Sequence, residues 1–174
     1  MENRLKNLTK ITIFSITFLS FIDGEKKILG RPVWHNPKKI FSKKLDAGDC
    51  DQQIFDLYSI SHINGGILFY FIDRIIKNDF FKKNKFNLCI FSSIIFEILE
   101  NQPYIYQIFT KNYKNYKGDS IVNIIADIYL NVLGYYLAFR FKKNSVIYLI
   151  LTEILIFKYY AGFFSIIYII FKKL

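Results

Sequence analysis

The chain has 174 residues and a formal net charge of +10, and 52% of its residues are hydrophobic and 19% aromatic. This length corresponds to a single domain. The lysines occur in short clusters between apolar runs, as charges do at membrane borders, and no nucleic-acid-binding motif with interleaved aromatic residues is present. The composition therefore argues against a nucleic-acid partner.

The apolar runs predict the fold class. A helix needs about 20 predominantly apolar residues to cross a bilayer, and several runs approach that length. We predict an all-α, polytopic membrane helix bundle of about five transmembrane helices. Residues 1–174 would form one integral membrane domain, with residues 23–53 as a polar extramembrane connection inside it.

The first predicted span covers residues 11–22 and follows Arg4, Lys6 and Lys10. No small-residue cleavage site comes after it, which favours a retained span over a cleaved signal peptide. The connection 23–53 contains Arg31 and two of the chain's 3 prolines. Proline disrupts regular helix, so irregular structure is expected there.

Four further spans are predicted, at about 54–76, 86–101, 118–137 and 145–171. In the second span, Gly65 and Gly66 would let a neighbouring helix approach closely. Asp119 or Ser120 would cap the fourth span, because a side-chain oxygen there can accept from a free backbone N–H. The fifth run is long and contains Lys158 and Gly162, so it is either one tilted or kinked helix or a helix followed by an interfacial segment.

The fourth span carries a polar residue at every fourth position: Asp119, Asn123, Asp127 and Asn131. Four residues advance a helix by about 6 Å, so these side chains form one slowly winding stripe roughly 18 Å long. An ionisable group facing lipid costs roughly 2.5–3.5 kcal/mol or more. The stripe is therefore expected to face other helices or enclosed water.

Successive spans alternate in direction, which brings the starts of spans two and four and the end of span three to one side of the membrane. We call this end of the bundle the polar mouth. The residues expected to converge there are Asp56 and His62, Glu97 and Glu100, and Asp119, Asn123 and Asp127. Charge density in the short loop after span two favours a cytoplasmic N-terminus and an external polar mouth, in a multi-pass protein of the bacterial inner membrane.

Four segments resemble, in this order, an uncharacterised family of bacterial inner-membrane proteins that is distantly similar to VanZ-like proteins. They are GRPVW, DLYSISHINGG, FEILENQPYI and GDSIVN, and the resemblance spans about residues 30–138. It implies an integral inner-membrane protein with no assigned activity. The matching positions are Gly30, Arg31, Asp56, Tyr58, Ser61, His62, Gly66, Glu97, Glu100, Asn101, Gly118, Asp119, Ser120, Asn123 and Asp127.

This chain departs from the family pattern in two places. Members carry a cysteine pair soon after the Gly-Arg segment, where this chain has Trp34, His35 and Asn36. They also carry a second histidine at the position of Gly65. A redox role for cysteines, or a metal site that uses two histidines, is therefore not expected here.

The candidate site residues have structural alternatives beside functional ones. His62 could be a neutral histidine hydrogen-bonded between helices, Asp119 a helix cap, and Glu100 and Asn101 the interfacial end of a helix. Asp127 lies two turns inside its span, where capping cannot explain it. The predicted ligand-binding set is Arg31, Asp56, Tyr58, His62, Glu97, Glu100, Asn101, Asp119, Asn123 and Asp127.

Three functions remain open from the sequence. The first is recognition of a membrane lipid or a lipid-linked envelope precursor at the polar mouth. The second is a metal-assisted hydrolase or transferase, with His62, Glu97 and Asp127 as catalytic candidates and a divalent metal bound by candidates Glu97, Glu100, Asp119 and Asp127. The third is proton or ion conduction along the polar stripe. No HExxH, GxSxG, P-loop or Rossmann fingerprint is present.

Overall fold

The structure is a computed structural model, and it describes residues 39–42, 53–102, 107, 111 and 118–157. Over these ranges the chain is all-helical, which confirms the predicted class. Within the described residues, four α-helices have defined bounds, which we number α1 (Ser59–Phe71), α2 (Asp79–Glu100), α3 (Ile121–Phe141) and α4 (Lys143–Phe157), and a short 3-10 helix covers Ile72–Arg74. The predicted first span, Arg31, most of the connection 23–53 and residues 158–171 lie outside the described residues.

Among the described helices, α3 alone is long and apolar enough to cross a membrane by length and composition, and 33% of its most apolar window is buried. The prediction of five spans therefore stays a prediction.

The predicted start of the second span was too early. The helix begins at Ser59 because Asp56 and Ser59 exchange two hydrogen bonds, in which each backbone N–H donates to the other side chain at 3.0 Å. Phe55 is extended instead, and it forms an isolated parallel bridge with Phe41. The apolar residues 54 and 55 thus lie in the segment that precedes the helix.

The predicted start of the third span was too late. The helix α2 begins at Asp79, where the side chain of Asn78 accepts a hydrogen bond from the N–H of Phe81 at 3.1 Å. Apolar content locates only the apolar turns of a helix, and here the lysine-containing turns before Phe86 are helical too.

The start of α3 agrees with the predicted capping. Ser120 has extended backbone angles, and its Oγ accepts from the N–H of Asn123 at 3.2 Å. The helix ends at Phe141, and Lys142 has a φ of 48° and a ψ of −119° before α4 starts at Lys143. A single residue thus reverses the chain between α3 and α4.

The contacts between helices show their directions. Those between α1 and α3 advance together along both helices: His62 with Asp127, Gly66 with Asn131, and Tyr70 with Tyr135. Contacts between α1 and α2 run in opposite order: His62 with Glu97, and Tyr70 with Lys85. The start of α1, the end of α2 and the start of α3 therefore lie at one end of the bundle.

Two glycines allow α1 and α3 to cross at short distance. A Cβ on Gly66 would overlap the backbone oxygen of Asn131 and lie 2.7 Å from the nitrogen of Tyr135. A Cβ on Gly134 would overlap the backbone oxygen of Ile63. Small residues at a crossing are typical of helices packed in membranes.

The bundle buries many polar side chains together with an apolar core, and it exposes many large apolar side chains. Its buried side chains include Asn64, Glu97, Asn123, Asp127 and Glu153, each no more than 6% exposed. Many large apolar side chains of α3 and α4 are exposed, and the most exposed in α4 are Ile154 and Leu155, both at 66%. An apolar cluster of Ile67, Ala138 and Leu149 fills the end opposite the polar mouth.

Candidate functional site

Three titratable side chains from three helices meet at the polar mouth. His62 lies in the first turn of α1, Glu97 in the last turn of α2, and Asp127 in the second turn of α3. The Nδ1 atom of His62 is 3.5 Å from Oε1 of Glu97, and its Nε2 atom is 3.6 Å from Oδ2 of Asp127. These side chains are 11%, 2% and 6% exposed respectively. We call these three residues the triad.

The separations in the triad are longer than ordinary N–H···O hydrogen bonds, which are about 2.7–3.2 Å. The three residues nevertheless offer ligand atoms that all lie within 4.8 Å of one another. In the part of the chain that the structure describes, no other group of three or more His, Cys, Asp or Glu side chains meets this condition. Among the described residues, the triad is therefore the candidate site for a metal ion.

Asp127 is buried near several other acids. Its Oδ1 atom is buried and has no hydrogen-bond partner among the described residues. Four other carboxylates are close enough to repel its charge, and they belong to Asp56, Glu97, Asp119 and Glu100. Buried polar atoms nearly always have a partner, so this oxygen marks an unusual position.

Asp119 and Asn101 form a structural pair next to the triad. The amide of Asn101 donates to Oδ2 of Asp119 at 2.7 Å and to the backbone oxygen of Glu97 at 2.8 Å. Asn101 thus joins the end of α2 to the start of α3. Ser120, and not Asp119, caps α3.

A pocket of about 80 Å³ opens beside the triad. Its polar lining includes His62, Glu100 and Asn131, and Phe96 forms an apolar part of the wall. Phe96 is 42% exposed on the outer face of α2, and its ring meets that of His62 edge-on at 6.0 Å. The full lining is Tyr58, Ser61, His62, Gly65, Phe96, Glu100 and Asn131.

The structure brings together most of the residues predicted at the polar mouth. His62, Glu97 and Asp127 form the triad, while Tyr58 and Glu100 line the pocket. Asp56 exchanges two hydrogen bonds with Ser59 at the start of α1, and its charge acts on Asp127. Asn123 is 1% exposed, and its Nδ2 has no described partner. Of the metal candidates, Glu100 and Asp119 lie outside the group of three ligand atoms, and Arg31 lies outside the described residues.

A second buried polar group was missed by the sequence reasoning. Asn64 of α1 donates to Oε1 of Glu153 at 2.8 Å, and the hydroxyl of Thr152 donates to Oδ1 of Asn64 at 2.9 Å. These bonds join α1 to α4. An acidic residue within the apolar run 145–171 was the available signal, because such a residue inside a span must face a partner.

Comparison with known proteins agrees with these motifs. Residues 28–162 match the family described as "Protein of unknown function (DUF2585)". The chain belongs to this family. The family match covers all the described helices, the triad and the pocket.

Curated relatives are called UPF0314 proteins. The one from Sphingopyxis alaskensis is 36% identical over 113 residues, which is 63% of this chain and 56% of the relative. The one from Brucella anthropi is 30% identical over 55% of this chain and 50% of the relative. The chain thus spans about half the length of the curated relatives it matches. No solved structure matches it. The predicted similarity to VanZ-like proteins stays a prediction.

Proposed function

We propose that the chain is a multi-pass membrane protein in which the apolar outer faces of the helices contact lipid. The support is the distribution of side chains. Exposed apolar residues follow α3 at Leu133, Tyr136 and Phe139, while the inward face of the same helix carries Asn123 and Asp127. A soluble bundle normally shows the reverse arrangement. In lipid, this arrangement keeps the polar groups away from hydrocarbon.

The proposed orientation has the N-terminus in the cytoplasm and the polar mouth outside. Ile75 follows α1 and is 82% exposed, so it would face the cytoplasm, whereas Lys111 would face outside. With Cys50 and Cys89 replaced by serine, an impermeant maleimide added to intact cells should label Lys111→Cys, and should label Ile75→Cys only after permeabilisation. The opposite pattern would reverse the orientation.

The function that the geometry supports best is recognition of a membrane amphiphile, either a lipid or a lipid-linked envelope precursor, through its polar headgroup. The observation that carries this proposal is the composition of the pocket. Its inner lining is polar at His62, Glu100 and Asn131, and its wall reaches the exposed apolar face of α2 at Phe96. A headgroup would enter the polar part while its acyl chain lies along the apolar face.

The experiment measures lipid that is retained by purified protein. The full chain is extracted in a mild detergent, and bound lipids are quantified by mass spectrometry. His62→Ala and Glu100→Gln should each reduce the retained headgroup species by about tenfold, which corresponds to about 1.4 kcal/mol. Asp79→Asn is the matched control, because it removes an acid from the opposite end of α2. Unchanged lipid in two pocket variants that keep wild-type helicity would overturn the proposal.

A further inference from the structure

We propose that His62, Glu97 and Asp127 bind one divalent first-row metal cation at the inner side of the pocket. This inference deepens the proposed function, because His62 belongs to both the triad and the pocket lining. The inference rests on the proposed function in one respect: the ion would face the headgroup that enters the pocket.

The geometry requires small movements. Ligands of a four-coordinate metal lie about 2.0–2.2 Å from the ion, which places them roughly 3.3–3.6 Å from one another. The separations of 3.5 and 3.6 Å join different ring nitrogens of His62 to the two carboxylates, and one possible ligand atom from each residue lies within 4.8 Å of the other two. One ring nitrogen would bind the ion. The carboxylate that faces the other ring nitrogen would turn toward the ion, so that all three side chains become ligands.

The charge of the triad matches a divalent cation. When both carboxylates are ionised, they and a neutral imidazole carry a charge of −2, and burying unpaired charge is costly. The described groups that face Asp127 are His62 and four carboxylates. A cation at the triad would offset this repulsion.

Asp127 supplies the independent observation that points to a ligand. The residue is 4% exposed, and its Oδ1 has no partner among the described residues although it lies within a polar interior. Glu153, another buried acid of the bundle, differs in that its Oε1 accepts from Asn64, whereas Oδ2 of Asp127 lies 3.6 Å from Nε2 of His62, beyond ordinary hydrogen-bond distance. An orphaned oxygen beside an imidazole and a second carboxylate forms a donor set that a cation would satisfy.

The ligand atoms indicate the class of metal. One imidazole nitrogen and two carboxylate oxygens suit Zn²⁺ or Mn²⁺. Ca²⁺ takes six to eight oxygen ligands, and the triad cannot supply that number. We therefore expect Zn²⁺ or Mn²⁺ to bind more tightly than Ca²⁺.

The test is equilibrium dialysis of the untagged full chain, stripped of metal and lipid, in detergent against Zn²⁺, Mn²⁺ or Ca²⁺. Metal content is read by mass spectrometry. The wild type should bind one Zn²⁺ or Mn²⁺ per chain, and Asp127→Asn and Glu97→Gln should each weaken binding by about tenfold or more. The matched control is Glu153→Gln, which removes a buried carboxylate elsewhere and still offers Asn64 an acceptor.

Two outcomes would overturn the metal site. The first is wild-type protein that takes up no Zn²⁺ or Mn²⁺ above the buffer level. The second is unchanged binding in Asp127→Asn and Glu97→Gln. The metal should also raise the melting temperature of the wild type and of Glu153→Gln, so a variant that folds poorly is recognised by its melting curve. The wild-type stoichiometry stays decisive if both triad variants misfold.

Failure of the metal site is distinguishable from failure of lipid recognition. Lipid retention is measured on protein treated with a chelator, and metal binding on protein stripped of lipid. If lipid retention depends on Glu100 but the protein takes up no metal, only the metal proposal is rejected. If the protein takes up metal but the pocket variants retain as much lipid as the wild type, only the proposal of amphiphile recognition is rejected.

Discussion

Buried polar side chains in this bundle are of two kinds at the scale of single residues. Asn101 and Asn64 bond to acids across helix pairs and so hold helices together. Asp127 has an oxygen without a described partner. The first kind is structural, and the oxygen of Asp127 is distinguished by its place beside His62 and Glu97.

The pair formed by Asn64 and Glu153 gives a prediction about stability. Glu153→Leu removes the acceptor of a buried amide and should lower the free energy of unfolding by about 1–3 kcal/mol, because a buried donor is left unsatisfied. Glu153→Gln keeps an acceptor oxygen and should cost clearly less. The measurement is unfolding in mixed micelles with increasing SDS, followed by circular dichroism. Equal losses in both variants would contradict this role.

The sequence identified His62, Glu97 and Asp127 because charged residues inside apolar runs need a shielded place. It could not assign Asn101 or Glu153. Their roles depend on which helix lies opposite, and periodicity along one helix does not contain that information. Asp119 shows the same limit, since both it and Ser120 fitted a cap and only the backbone geometry distinguishes them.

At the scale of helices, the contact of α1 with α3 positions the site. Gly66 and Gly134 remove the side chains that would separate the two backbones. One turn from Gly66, His62 faces Asp127. The close crossing thus sets the distance between two members of the triad.

Gly66→Ala should separate α1 from α3. The new methyl group would overlap backbone atoms, which cannot move as a side chain can. We expect a loss of several kcal/mol, at or above the roughly 1–3 kcal/mol typical of overpacking. Gly65→Ala is the matched control, since its Cβ would meet only the side-chain amide of Asn131, at 3.1 Å. Both are compared by SDS unfolding, and similar stability of the two variants would contradict the close crossing.

The turn between α3 and α4 gives a prediction of a stabilising substitution. Lys142 has a positive φ of 48°, a conformation that costs a residue with a Cβ about 1–3 kcal/mol. Lys142→Gly should therefore raise the free energy of unfolding by about 1 kcal/mol. Lys143→Gly, at the first residue of α4, should give no gain because no positive φ is relieved there and glycine disfavours helix. A destabilised Lys142→Gly would show that this backbone conformation is not under strain.

Helix positions were predictable from the sequence, and helix starts were less so. The early start of α2 depends on Asn78 as a cap, and the late start of α1 on Asp56 and Ser59. Such caps are decided by one or two side chains, whereas the apolar runs used to place spans extend over many residues. The close approach of another helix at Gly65 and Gly66 could be predicted from the small size of glycine alone.

At the scale of the whole molecule, the alternation of helix directions explains why distant residues form one site. Residues 62, 97 and 127 meet because α1 and α3 run parallel and α2 runs opposite to both. The convergence could be predicted because it depends on topology. The pocket and its apolar wall could not, because they depend on how far each helix is rotated about its axis.

The proposed arrangement places the outer faces of this bundle in contact with lipid and keeps its acids and amides inside. Labelling with a lipid-soluble carbene precursor, photolysed in native membranes and mapped by mass spectrometry, distinguishes the two faces of each helix. We predict modification at Leu133, Tyr136 and Phe139 of α3 and at Ile154 of α4, and none at Asn123 or Asp127. The same protein labelled after SDS denaturation is the control. Labelling of Asn123 and Asp127 in the membrane, or none at the exposed apolar residues, would contradict the account.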